Sequence, residues 1–167
     1  DPAHPKVFLD LQHRNATTRN YREASVVVDV LMTLLESGVP PWEVGVVVPY
    51  RAQSREIRSL LRRALPDAEL RQQIVVDTVE RMQGQEREAI IVSLTTSNPT
   101  FAAHLAEFFF QPERMNVAIT RPRSKLIIVG SRYILNAQPD DADQQEAVAL
   151  FRDMLNACSY RTLDYLP

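Results

Sequence analysis

Four short, nearly unbroken apolar runs, rich in β-branched side chains, constrain this 167-residue chain more than anything else in it: Val44-Gly45-Val46-Val47-Val48, Ile74-Val75-Val76, Ala89-Ile90-Ile91-Val92 and Leu126-Ile127-Ile128-Val129. Each is too short for an ordinary helix. Apolarity without alternation marks strands covered on both faces, as in a parallel sheet. Val7-Phe8-Leu9-Asp10-Leu11 reads as a further strand ahead of them.

Helical signals fall between the runs. Asn20 is a good N-cap, Glu23 stands where a capping box needs it, and Ala24, Val27, Val28, Leu31, Leu34 and Leu35 share one helical face up to Gly38, Pro40 and Pro41. Trp42 is expected as a packing anchor at that turn. Over Arg51 to Leu65, Ile57, Leu60, Leu61, Ala64 and Leu65 form a core stripe, while Arg51, Arg55, Arg58 and Arg62 form a second stripe at helical spacing. The arginine stripe reads as a solvated face, Arg51 apart, since Arg51 lies where a strand hands over to a helix. Pro112 suits the first turn of a helix with Met115, Ala118 and Ile119 on its core face, and Pro122 ends it. Phe108-Phe109-Phe110 is read as packing. From Asp141 the positions Ala147, Leu150, Phe151, Met154 and Leu155 predict a closing helix, with acids where its dipole favours them. Strands alternating with helices predict an α/β fold, an open, mostly parallel sheet with helices on both faces and right-handed crossovers.

The connection Glu80-Arg81-Met82-Gln83-Gly84-Gln85-Glu86-Arg87 holds the only glycine between Gly45 and Gly130. Its placement between buried strands predicts that it emerges at the rim of the sheet, where ligands usually bind.

One domain spanning 1–167 suits this length and the 45% apolar content. Cys158 is the sole cysteine, and His4, His13 and His104 are scattered, so no internal disulfide forms and no metal site is expected. No apolar run approaches the ~20 residues of a membrane span, and the polar, proline-containing start has no signal-peptide pattern. A monomeric intracellular protein, cytoplasmic or nuclear, is expected. The net charge of −2 averages opposite segments: from Arg51 to Arg71 six arginines face three acids, and from Glu113 to Arg132 five basic residues face one. Local basic surface is what a phosphate backbone would feel.

Three ordered fragments resemble motifs IV, V and VI of superfamily 1 helicases, a branch of the P-loop NTPases: Pro49-Tyr50-Arg51-Ala52-Gln53, then Thr78-Val79-Glu80-Arg81-Met82-Gln83-Gly84-Gln85-Glu86, then Arg114-Met115-Asn116-Val117-Ala118-Ile119-Thr120-Arg121-Pro122-Arg123. Asn20-Tyr21-Arg22-Glu23-Ala24 is also similar to the group that includes the nonsense-mediated-decay and Okazaki-fragment-processing helicases. The resemblance covers residues 7 to 136. It implies a RecA-like three-layer sandwich, the second motor domain of a 5′-to-3′ helicase or translocase, in which ATP and Mg2+ bind between this domain and a preceding RecA-like domain of the same protein.

By that resemblance Arg121 contacts the γ-phosphate, a task suited to a fixed guanidinium. Glu86 holds the ribose, Gly84 lets the backbone approach the nucleotide, and Gln83 shapes the loop. Thr78, Tyr50, Arg51 and Gln53 face single-stranded DNA or RNA or the interdomain cleft, where short hydroxyls and amides grip phosphates without reading bases. Arg123 supports the motif VI loop or touches the partner domain. Two positions depart from the pattern, Pro122 for alanine and Met82 for phenylalanine. The chain carries no Gly-x-x-x-x-Gly-Lys-Ser/Thr loop and no strand-borne acidic pair for magnesium, so alone it is expected neither to bind ATP nor to hydrolyse it. A RecA-like adaptor without turnover is the rival reading. A doubly wound enzyme for a small nucleotide would need a glycine-rich phosphate loop that is not found.

Overall fold

The computed structural model describes residues 3–82, 84–104, 113 and 122–163. Six strands form one parallel sheet: β1 (Lys6–Asp10), β2 (Val44–Val48), β3 (Val75–Thr78), β4 (Arg87–Ser93), β5 (Pro122–Gly130) and β6 (Ser159–Thr162), in the order β3-β2-β4-β5-β1-β6. The four apolar runs are central to four of these strands. All five residues of β2 are buried, as continuous apolarity requires of a doubly covered strand.

Helices α1 (Tyr21–Glu36) and α2 (Arg51–Ala64) cover one face, where Val27, Leu31, Ile57 and Leu61 pack on Val44, Val46, Val48, Ile91, Ile127 and Val129. The short α3 (Ala68–Gln73) follows α2, and α4 (Pro99–His104) follows β4. On the other face α5 (Ala142–Asn156) contributes Ala147, Val148, Phe151 and Leu155 against Phe8, Ile90, Val92, Leu126 and Ile128. Pro112, residues 114–121 and Phe108 to Phe110 lie outside the described residues.

Several expectations are corrected. Trp42 is 58% exposed and anchors nothing, and Leu150 and Ala64 stand in solvent at the margins of their stripes. The capping box is half formed. Asn20 accepts from the Glu23 amide at 2.8 Å, but the Glu23 carboxylate turns into the core. β6 and α3 carry too few apolar residues to announce themselves.

The connection from β3 to β4 does more than emerge at a rim. Because Thr78 lies opposite Val48, and Val44 opposite Ala89, the chain must return the length of β2 between them, ~16 Å at the rise of a strand. It does so as a strap across the face of β2, through the 3-10 turn Val79–Met82, with Met82 fully buried. Gly45 makes room for it: a Cβ there would stand 2.9 Å from the tips of both Met82 and Ile90. Methionine, where the family usually has phenylalanine, thus remains an apolar filler under the strap.

Candidate nucleotide and nucleic-acid sites

The strap separates the candidate residues onto opposite rims. At the rim where the strands begin, Gly84 has φ +77°, a left-handed conformation suited to glycine, and is exposed. Two residues on, Glu86 is exposed, and its carboxylate engages no described residue, while Arg87 donates to its backbone carbonyl at 3.0 Å. Arg87 stands opposite Pro122, so β5 starts beside this turn. Gln83 and Arg121 lie outside the described residues.

A register irregularity between Arg87 and Ala89 turns the Glu88 amide to Glu43 at 3.1 Å. Arg123 joins them, donating to Glu43 and, at 3.4 Å, to Glu88. The Arg123 guanidinium holds the Glu43 carboxyl below its usual range. Arg123 is thereby committed to a local ion-pair group at this rim.

At the opposite rim, where β2, β3 and β4 end, stand Thr78, Tyr50 and Arg51. Arg51 is exposed in the first turn of α2; Thr78 is half-buried. Tyr50 packs inward, its ring 6.2 Å from that of Phe101 and its hydroxyl accepting from Thr96 at 3.4 Å, and burial pushes its phenol pKa up. Gln53 departs from expectation. It is wholly buried, its Oε1 accepting from the Asn20 amide at 2.8 Å and its Nε2 donating to the Asn20 carbonyl and Ser93 at 3.2 Å, so it ties α2 to α1 and faces no cleft.

Beneath this rim lies a buried polar network that sequence reasoning missed. The Glu23 carboxylate accepts from Ser93 Oγ and from the Thr95 amide, both at 2.6 Å, and lies 2.6 Å from His13 Nε2. His13 Nδ1 is 2.8 Å from Ser97 Oγ, which also accepts from the Ala16 amide at 3.0 Å. Glu23, Ser93 and Thr95 are all 0% exposed. Thr95 has φ +66°, a conformation that costs a β-branched residue about 1–3 kcal/mol and persists only where the surroundings hold it. Here a buried carboxylate holds its amide. The clue in the sequence was the polar string Ser93-Leu94-Thr95-Thr96-Ser97-Asn98 directly after a buried strand.

Along α2, Arg51, Arg55, Arg58 and Arg62 are all exposed. Arg58 donates to the Val76 carbonyl on the edge strand and lies 3.9 Å from Asp77, whereas Arg51, Arg55 and Arg62 pair with no described residue. Like charges three and four apart cost about 0.2–0.5 kcal/mol each, and Arg51 opposes the helix dipole at about 0.3–1 kcal/mol. At the other end Arg62 lies in the last turn, where the dipole favours a cation.

A covered parallel sheet with polar groups at both rims defines a three-layer α/β domain of RecA-like type. A solved structure of the same kind, the C-terminal domain of a "possible DNA helicase" from Lactobacillus plantarum WCFS1, is 13% identical, covers 95% of this chain and 84% of its own, and superposes with a TM-score of 0.53. The family profile described as AAA domain matches residues 2–133. The chain belongs to this family, as a superfamily 1 helicase domain of the nonsense-mediated-decay and Okazaki-fragment-processing group. Among its relatives, the mouse DNA replication ATP-dependent helicase/nuclease DNA2 is 34% identical over 146 residues, 83% of this chain and 13% of the relative. The chicken putative helicase MOV-10 is 37% identical over 137 residues, 72% and 14%. The Arabidopsis thaliana regulator of nonsense transcripts 1 homolog is 36% identical over 124 residues, 72% and 9%. The chain thus spans no more than about a seventh of these proteins.

Proposed function

We propose that this chain is the second motor domain of an ATP-dependent helicase or translocase acting on DNA or RNA, working against a preceding RecA-like domain of the same protein. The observation that carries the proposal is the Gly84–Glu86 turn: an exposed left-handed glycine and an unengaged carboxylate, at the rim where β5 begins one residue after Arg121.

In this reading Glu86 accepts hydroxyl protons from the ribose, and the open surface over Gly84, where even a Cβ would touch nothing, admits the nucleotide close to the backbone. Arg121 follows as the guanidinium set against the γ-phosphate, where it stabilises charge on the phosphoryl oxygens. Mg2+ is assigned in this reading to the preceding domain, where it would screen phosphate charge. Thr78, Tyr50 and Arg51 are assigned to the opposite rim as the grip on a single strand, with Arg51 the exposed cation among them. Gln53 serves that grip only through the scaffold beneath it. An arginine finger contributes on the order of 10³- to 10⁵-fold in rate.

The test is strand-stimulated ATPase of the protein with its preceding domain present. Arg121→Ala is expected to lower kcat by about 100-fold or more while ATP still binds. Glu86→Ala is expected to act mainly on KM, raising it about tenfold for one lost hydrogen-bond acceptor. Absence of stimulated turnover in the wild type, or an Arg121→Ala variant that matches it, would sink the motor reading in favour of an adaptor.

A further inference from the structure

The arginine stripe on α2 sets like charges three and four residues apart, and its first member, Arg51, opposes the helix dipole. Such a row is more than a solvated face, in which acids would interleave with the cations. Glu56 is the only acid within the helix. We infer that this row is a second nucleic-acid contact, an accessory phosphate ridge that extends a single strand's path from the rim at Arg51 along the outside of the domain.

Three observations carry it. The row begins at the rim that holds Tyr50 and Thr78, and runs eleven residues to Arg62, ~16 Å along the helix axis. Its open members Arg51, Arg55 and Arg62 have no described partner, so no ion pair must be broken before they meet an anion. At its far end an open pocket of about 290 Å³ is formed by Arg58, Arg62, Arg71 and Gln72 over a floor of Leu61 and Ile74.

Arg58 and Arg71 are fixed by backbone carbonyls, Arg58 on Val76 and Arg71 on Leu65 and Pro66 at 2.6 Å. Their positive charge is therefore held in place at the mouth of the pocket. A concave site with fixed guanidiniums, an amide and an apolar floor suits a phosphate with its sugar or base attached. None of this reads a base edge, so the ridge binds irrespective of sequence. The phosphodiester backbone is common to DNA and RNA, and both are arms of the test.

The inference rests on the strand-binding half of the proposed function and adds a site outside the helicase motifs. It is tested in the protein that contains this chain with the rest of its motor, by anisotropy with 8-mer and 30-mer oligo(dT) and oligo(U) over a salt series. For Arg55→Glu/Arg62→Glu we expect the 30-mer Kd to rise at least tenfold and by more than the 8-mer Kd, because a short strand need not reach the ridge. The salt slope for the 30-mer should fall by about 1.4, at about 0.7 per lost phosphate contact on single strands. The thermal midpoint should stay level, since the repulsion relieved along the row offsets the acid placed in the last turn.

A 30-mer Kd and slope unchanged within twofold would overturn the ridge. So would equal losses on both lengths with a lowered midpoint, which would report damage to the fold. Poly-glutamate competing as well as oligonucleotide would reassign the surface to acidic proteins. Loss on only one of oligo(dT) and oligo(U) would refute recognition through the shared backbone. Failure of stimulated ATPase in the wild type bears on the motor alone, because strand affinity is measured without turnover.

Discussion

Replacing Glu23 by alanine should unfold this domain more readily than any local view of α1 suggests. The carboxylate serves three buried neighbours at 2.6 Å: Ser93 Oγ, the Thr95 amide and His13 Nε2. Ser93 Oγ goes on accepting from Gln53 Nε2 at 3.2 Å, and its freed hydroxyl proton can turn to Thr95 Oγ1 at 3.4 Å, so the losses fall mainly on the other two. A buried donor stripped of its acceptor costs about 1–3 kcal/mol, and two groups, the Thr95 amide and the His13 ring, lose Glu23 as their partner. Release of Thr95 from its left-handed backbone returns a fraction of this. The net loss is about 3–5 kcal/mol for the two together, a large share of the 5–15 kcal/mol that holds an ordinary domain together. At about 2–4 °C per kcal/mol for this chain length, thermal melting should fall by about 6–20 °C, and the urea midpoint should fall with an unchanged slope. Glu23→Gln retains an acceptor for Thr95 and should lose less than half as much. A Glu23→Ala protein melting within about 2 °C of wild type would refute the reasoning, for the network would then be incidental to the fold.

Two further perturbations are sharp. Gly130→Ala should cost about 3 kcal/mol and Gly45→Ala nearer 1 kcal/mol, because an added Cβ meets Leu94 Cβ at 2.6 Å in the first case but only the mobile tips of Met82 and Ile90 in the second; paired denaturation curves decide the order. The Glu43 carboxyl, held below its ordinary range by Arg123, supports the fold fully above the unfolded value near 4.3, and that support disappears as pH falls through the lowered folded value. A wild-type advantage in midpoint over Arg123→Ala should therefore be present at neutral pH and close in acid; an advantage that widened below pH ~4 would contradict the sign.

The sheet was legible because a doubly covered parallel strand leaves an unmistakable run of apolar residues, and α1 because Asn20 and Gly38 mark its ends locally. What could not be read depends on distant partners. Glu23 fits a capping box by spacing, yet Ser93 and Thr95, seventy residues on, decide where its carboxylate goes. Gln53 sits in a motif whose neighbours face outward, but its own side chain joins two helices. Trp42 has the bulk of an anchor without a cavity to fill. At the site, Gly84 takes a positive φ and Glu86 engages no described residue. Their separation from Thr78 and Tyr50 required strand order, because two strands adjacent in sequence need not be adjacent in the sheet.

The strap over β2 is anchored at its middle. Seven residues lie between Thr78 and Glu86, and the central one, Met82, is pinned where it sits on Gly45. A deletion between Thr78 and Met82 bears directly on that anchor, and must shift β3 against its neighbours or lift Met82 from the core. A displacement of Thr78 at one rim therefore reaches the core of the sheet through Met82, four residues away.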